Sequence, residues 1–212
     1  MKRVYLVRHG ESEQNIGVQP LGDEASLTDH GRKQAQFIAE RTKSLPIEVI
    51  ISSTLLRAKQ TAQIVAEKIK KPIEFSDLFI ERLMSSEQEE KILGASEVTK
   101  IDLQMLNQST IPNHPHFDGE NFRDLSERAS AALKYLEKRT ENYILVVSHG
   151  FFSRMLLGRA LFGERFFAQE AAALVRSMKT TNTGLTLLDF EESDTWSDWR
   201  IATWNDHAHL AD

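Results

Sequence analysis

Cysteine is absent from the 212 residues. A chain without it has no disulfide framework and no thiol nucleophile. Long apolar runs are absent as well, and none approaches the length that crosses a membrane. The first residues run straight into a strand-like stretch, without the charged-then-apolar pattern of a secretory signal. A cytoplasmic protein is expected. Clustered positive charge is missing too. The net charge is −5, with Lys, Arg, Asp and Glu mixed along the chain, which is not the footprint of a nucleic-acid binder. Metal-ligand groupings are lacking. His114-Pro115-His116 and His207-Ala208-His209 do not place two imidazoles on one helical face, and no carboxylate cluster accompanies them. No metal and no cofactor are expected. There are no internal repeats and no low-complexity tract, and no pattern fixes an oligomeric state.

What is present is concentrated at the ends of apolar runs. Val4-Tyr5-Leu6-Val7 leads into Arg8-His9-Gly10, followed by Glu11, Ser12 and Asn15. A buried strand ending this way presents a cation and an imidazole at the carboxyl edge of a sheet, where α/β proteins keep their ligand sites. Tyr143-Ile144-Leu145-Val146-Val147 repeats the logic and leads into Ser148-His149-Gly150, with a helix from Phe151 onward. A third unit, Val49-Ile50-Ile51, ends in Ser52-Ser53 and opens a helix carrying Arg57 in its first turn or so. Neighbouring parallel strands would bring Arg8, His9, Arg57 and His149 to one point.

Strand–helix alternation organises the rest. Strands are expected at about 2–8, 47–52, 73–75 and 143–148, and helices at about 28–43, 54–70, 121–140, 150–162 and 164–176. Thr28 is the expected N-cap of the first helix. Phe122, Leu125, Ala129, Leu133 and Leu136 share one face of the helix over 121–140. Strands at about 184–190 and 198–204 finish the sheet, with Thr195-Trp196-Ser197-Asp198 as a hairpin connection. The expected architecture is one α/β domain over residues 1–212: a three-layer sandwich whose mainly parallel central sheet carries helices on both faces. Arg82 to Asp118 breaks the rhythm. It opens on Ser85-Ser86-Glu87-Gln88-Glu89-Glu90, a good helix start, and closes on Ile111-Pro112-Asn113-His114-Pro115-His116, so it reads as a small inserted helical lobe. It either walls a substrate pocket or covers the sheet edge.

Arginine forks match phosphate oxygens, and helix amino ends add amide donors and positive dipole. Two arginines, one imidazole and several amides can neutralise a phosphate monoester, which carries about two negative charges near neutral pH. The other histidine is then free to attack phosphorus. Arg8, Arg57 and one of His9 and His149 are the candidate phosphate ligands, with Asn15 and the amide of Gly150, and Ser12 as a weaker one. The other histidine is the candidate nucleophile.

These stretches resemble the histidine phosphatase superfamily, the group with phosphoglycerate-mutase-like folds. The matching residues are Leu6-Val7-Arg8-His9-Gly10-Glu11-Ser12 with Asn15, Leu27-Thr28 with Gly31 and Gln34-Ala35, and Ser52-Ser53 with Arg57-Ala58 and Gln60-Thr61-Ala62. Gly119-Glu120 and Val146-Val147-Ser148-His149-Gly150 follow in the family's order. The resemblance implies double displacement through phosphohistidine on His9, with Arg8, Arg57 and His149 holding the phosphoryl oxygens. It places a carboxyl that protonates the leaving group after the third strand. Glu81 is the choice, with Glu87 as competitor, because the motif is stretched here. Classical mutases of the family carry an extra motif after the acid that nothing in Arg82 to Asp118 resembles, and Leu21-Gly22-Asp23 stands roughly where they carry Thr-Gly. The resemblance therefore implies a metal-independent phosphatase of small phosphomonoesters. Mutase-type phosphoryl transfer and a weakly catalytic phospho-ligand binding protein are the alternatives. The phosphoryl group is common to sugar phosphates, phosphoglycerate, nucleotides and phosphoproteins, so the lobe, not the phosphate site, selects among them.

Overall fold

The computed structural model describes residues 1–18, 24–85, 95–109, 119–192 and 199–211. Among them, six strands form one sheet: β1 (Lys2–Arg8), β2 (Val49–Ser52), β3 (Ile73–Phe75), β4 (Tyr143–Ser148), β5 (Leu185–Phe190) and β6 (Trp199–Asp206). Their order across the sheet is β3-β2-β4-β1-β5-β6. β3, β2, β4 and β1 are mutually parallel, β5 runs antiparallel to β1, and β6 antiparallel to β5. The mainly parallel sheet expected from the apolar runs is the one that forms. Ile144 to Val147 at its centre are completely buried, as strands covered on both faces must be.

The strands alternate between two cores. Val4, Leu6, Ile51, Ile144 and Val146 face one cluster, while Tyr5, Val7, Ile50, Leu145 and Val147 face the other. The second cluster is closed by α1 (Asp29–Thr42) and α2 (Leu56–Ile69), through Ile38, Ala39, Ala58, Ala62 and Val65. The first is closed by α3 (Ala95–Gln108), α4 (Phe122–Glu137), α5 (Gly150–Phe162) and α6 (Ala168–Ser177). The result is a three-layer sandwich.

Local chemistry sets the element ends. The Thr28 hydroxyl accepts from the Gly31 amide at 2.9 Å and caps α1. Asn121 caps α4 by accepting from Arg123 and Asp124, and Asp124 accepts from the Asn121 amide at 3.1 Å, a capping box. The helix expected over 164–176 starts later. Gly163 adopts a φ of +54° and ends α5, a short 3-10 turn follows, and Glu170 accepts from the Phe167 amide to start α6. The helix start expected at Ser85 to Glu90 runs into Ser86 to Gly94, which lie outside the described residues; the described helix of the lobe is α3. So do His114, His116 and the connection at Thr195 to Asp198.

The register explains the site's location. Arg8 pairs with Ser148, and Ser52 with Val147. Beyond the ladder, the His9 amide donates to Ser148 O and the Ser53 amide to Val147 O, both at 2.9 Å. Three strand ends are therefore level. The β1 loop is then pressed onto the start of α1. A Cβ on Gly31 would lie 1.9 Å from Glu11 O, and one on Gly10 would lie 2.5 Å from Gly31 O. Gly31→Ala is expected to destabilise the protein by about 1–3 kcal/mol through overpacking against backbone that cannot rotate away. Urea denaturation measures this, and an unchanged midpoint would show that the loop yields freely.

Candidate active site

His9 is 3% exposed, Arg57 3% and His149 0%. The two imidazoles face each other with ring centroids 5.0 Å apart. His9 Nδ1 lies 2.7 Å from the carbonyl oxygen of Gly10. A carbonyl only accepts, so the ring proton of neutral His9 sits on Nδ1 and Nε2 carries the free lone pair. Nε2 of His149 lies 2.7 Å from the Ser53 hydroxyl, which itself accepts from the Leu55 amide at 3.2 Å. When Ser53 gives its proton to Nε2, the proton of His149 resides on Nδ1. That atom is buried and has no hydrogen-bond partner among the described residues, and the same holds for Nε of Arg8. Buried polar atoms are normally paired, and these two are not paired among the described residues.

Arg8 is held from behind by a bond of 2.7 Å from Nη1 to Thr180 O. Gly150 opens α5 directly against it: a Cβ there would meet the Thr180 hydroxyl at 2.8 Å and Nε of Arg8 at 3.3 Å. Glu81 closes the other side. Its Oε1 accepts from the Phe152 amide at 2.8 Å and from the Arg82 amide at 3.2 Å, and its Oε2 from the Phe151 amide at 3.1 Å. The carboxylate thus caps α5 from outside the helix, a favourable place for negative charge. Arg8, His9, Arg57, His149, Gly150 and Glu81 are together at one sheet edge. Asn15 stands beside them. Its Oδ1 accepts from the Ser12 amide and from Nδ2 of Asn182, both at 3.1 Å, and Asn182 also donates to His9 O at 3.0 Å. The Ser12 hydroxyl is buried with no hydrogen-bond partner among the described residues. Glu87 lies outside the described residues.

The cations act on one another. Burial, opposed by Glu81 but reinforced by Arg154 and Arg57, lowers the Arg8 pKa to about 10. Burial, with Arg57 and Arg8 adding repulsion, holds the His9 pKa well below the ordinary 6.5. Burial again leads for His149, followed by Arg57, His9, Arg8 and Arg128. Burial and the neighbouring cations thus favour the neutral form of both imidazoles.

Several residues that build the site carry no local sequence signal. Thr180, Asn182 and Thr183 approach from the turn before β5, where the Thr183 amide donates to Arg8 O at 3.0 Å. The polar run Thr180-Thr181-Asn182-Thr183-Gly184 between a helix and a strand is the trace they leave in the sequence. His209 stands behind this turn, with Nε2 3.0 Å from the Thr183 hydroxyl and Nδ1 3.3 Å from Arg41. His207 is exposed. Among the described residues no three His, Asp or Glu gather as a metal site, and no helix is long and apolar enough to cross a membrane.

Cationic and imidazole side chains therefore gather at the strand ends, with one imidazole held by a backbone carbonyl, the placement that the histidine phosphatase resemblance leads one to expect. The profile of the histidine phosphatase superfamily (branch 1) matches residues 4–207, and the chain belongs to that family. It is 35% identical over 215 residues to a probable phosphoglycerate mutase GpmB of Salmonella arizonae, covering 99% of this chain and 95% of that one. The fold is similar to that of YhfR from Bacillus stearothermophilus, with a TM-score of 0.77, 25% identity and 99% of each chain covered. It is also similar to a mycobacterial glucosyl-3-phosphoglycerate phosphatase solved with VO3, with a TM-score of 0.74, 23% identity, and 97% and 99% of the two chains covered.

The depressed imidazole pKa values have a signed consequence. A group whose folded pKa lies below its unfolded value binds fewer protons when folded, so stability falls as pH drops below the unfolded value of 6.5 toward the folded one. His9 and His149 are expected to show neutral-imidazole nitrogen shifts at pH 6.5 by NMR, and stability is expected to decline from about pH 7 to about pH 5. Ordinary titration of both rings near 6.5 would contradict this.

Proposed function

We propose that this chain hydrolyses small phosphate monoesters by double displacement at His9, without a metal or cofactor. The observation that carries the reading is the fixed His9 tautomer inside a pocket whose Arg8 Nε and His149 Nδ1 are buried without partners. In the first step Nε2 of His9 attacks phosphorus in line and the bond to the leaving oxygen breaks. Arg8, Arg57 and His149 take the phosphoryl oxygens, where charge must be stabilised in transit. Asn15 and the Gly150 amide add donors. Glu81 gives its proton to the leaving oxygen. Each carboxyl oxygen has two lone-pair positions, and the Phe151 amide occupies one on Oε2, which leaves the other for that proton. In the second step the Glu81 carboxylate takes a proton from water, the water oxygen attacks phosphorus, the P–N bond breaks, and inorganic phosphate leaves.

Supporting the phosphatase reading are solved structures of the same fold that are named phosphatases. The relative named a probable phosphoglycerate mutase favours a second reading, in which the phosphoenzyme returns its phosphoryl group to an acceptor instead of water. We take residues 1–212 as one domain in the cytoplasm acting on a small molecule. Support comes from Met105 and Leu106 of α3, which share the main core, and from the lack of a membrane-spanning helix among the described residues.

Turnover of nitrophenyl phosphate is expected to survive EDTA. Wild-type protein is expected to form an acid-labile, base-stable phosphoenzyme that His9→Ala abolishes, with the fold retained by circular dichroism. Loss of activity with chelator, restored by a divalent ion, or label persisting on His9→Ala, would overturn the mechanism. Interconversion of phosphoglycerates faster than phosphate release would select the mutase, and vanadate binding without turnover the binding protein.

A further inference from the structure

We infer that Arg128 is a positioning residue for the proposed acid, fixing the main chain that carries Glu81. The inference rests on the reading of Glu81 given above. Residues 80–85 follow β3 and a short 3-10 turn and belong to no ladder or helix. Their carbonyls and amides therefore need partners from elsewhere. Arg128, on α4, supplies donors to two of the carbonyls and to Leu78 O just before them. Its Nη1 donates to Leu78 O at 3.3 Å and Ile80 O at 2.8 Å, and its Nη2 to Glu81 O at 3.3 Å. The same guanidinium grips Glu120 with two bonds of 2.7 Å, from Nε and Nη2. The pair is nearly buried, at 12% and 11% side-chain exposure.

Glu120 completes the clip. Its Oε2 accepts from the Leu83 amide at 3.0 Å, and its own amide donates to Leu83 O at 3.0 Å. Gly119 lets the two backbones meet, since a Cβ there would lie 2.7 Å from both Leu83 O and Met84 C. On its other face the guanidinium covers the Phe152 ring, 4.0 Å from the centroid, and the Phe152 amide is the one that binds Glu81 Oε1. Arg128 therefore touches the main chain beneath Glu81 and the ring of the residue that orients its side chain. A lysine, with one point charge, cannot span three carbonyls and a bidentate carboxylate.

A positioned general acid matters in proportion to how badly the leaving group needs its proton. A residue that only stabilises the fold slows all substrates alike. The experiment compares phosphoenzyme formation from nitrophenyl phosphate and from a simple alkyl phosphate in wild type, Glu81→Gln, Arg128→Lys and the double variant. Arg128→Lys is expected to slow the alkyl ester about tenfold more than the aryl ester, a part of the roughly 10²–10⁴-fold that a general acid supplies. It is expected to add no further selectivity to Glu81→Gln. Equal losses on both esters in Arg128→Lys, beside a selective loss in Glu81→Gln, would overturn the inference alone. Equal losses in Glu81→Gln would overturn the acid assignment and the inference with it. Should Arg128→Lys fail to fold, Glu120→Gln, which leaves the guanidinium in place but loosens its hold, is read by the same two outcomes.

Discussion

Two arginines and two imidazoles share one point at the carboxyl edge of the sheet. Burial is the first reason that Arg8 is lowered to about 10 and that both histidines lie well below 6.5, and the repulsion among these cations adds to it. A protein that gathers such groups without an anion forgoes stability at that spot. In the proposed reaction a dianionic phosphoryl group meets charges and dipoles that are already in place, which is the preorganisation that electrostatic catalysis needs. The same surroundings suit the role proposed for His9: a protonated ring would have no lone pair on Nε2, and burial, with Arg57 and Arg8 adding to it, opposes that protonation.

Groups that repel must be held by something else, and here the holding is done by backbone. Gly10 O takes the His9 ring proton, Thr180 O takes Arg8, and Asn182 takes His9 O. Much of the extended sequence pattern serves this purpose instead of touching a ligand. The Thr61 hydroxyl accepts from the Gly10 amide at 3.1 Å while donating to Arg57 O at 2.8 Å. Gln34 accepts from the Glu11 amide and Gln60 from the Leu27 amide. Thr28 caps α1 and also donates to a Glu11 carboxylate oxygen at 2.8 Å. Gly31 is there because Glu11 O occupies the space of a side chain. The segments around His9, α1 and α2 are one hydrogen-bonded unit, so they match the family together.

What could be read from the sequence and what could not divide along physical lines. Strand ends were legible because a buried parallel strand is a local signal: four or five apolar residues and then a turn. Arg8, His9, Arg57 and His149 follow from that alone once β2, β4 and β1 are neighbours. Helix starts with a side-chain cap, Thr28 and Asn121, were legible for the same reason. Partners brought in across long stretches of chain were not. Glu81 caps α5 across a separation of about 70 residues, and Thr180 and Asn182 reach the site across about 170. No periodicity or spacing encodes such partners. Arg128 likewise sits in a helix whose amphipathic pattern explains its neighbours Leu125, Ala129 and Leu133, but not an arginine facing inward.

The inserted lobe is tied by a buried ion pair to the segment that carries Glu81. Arg82, next in sequence to Glu81, is 6% exposed and pairs with Asp102 of α3 at 3.0 Å, while its guanidinium lies 5.9 Å from the Phe151 ring. Burial raises the Asp102 pKa to about 6 even with Arg82 opposing the rise. Breaking such a pair by removing one member leaves a buried charge uncompensated, at about 3–5 kcal/mol. The pair joins α3 to the segment that carries Glu81, and α3 packs against α6. The main chain at Glu81 is thus gripped by Arg128 on one side and, through its neighbour Arg82, tied to the lobe on the other.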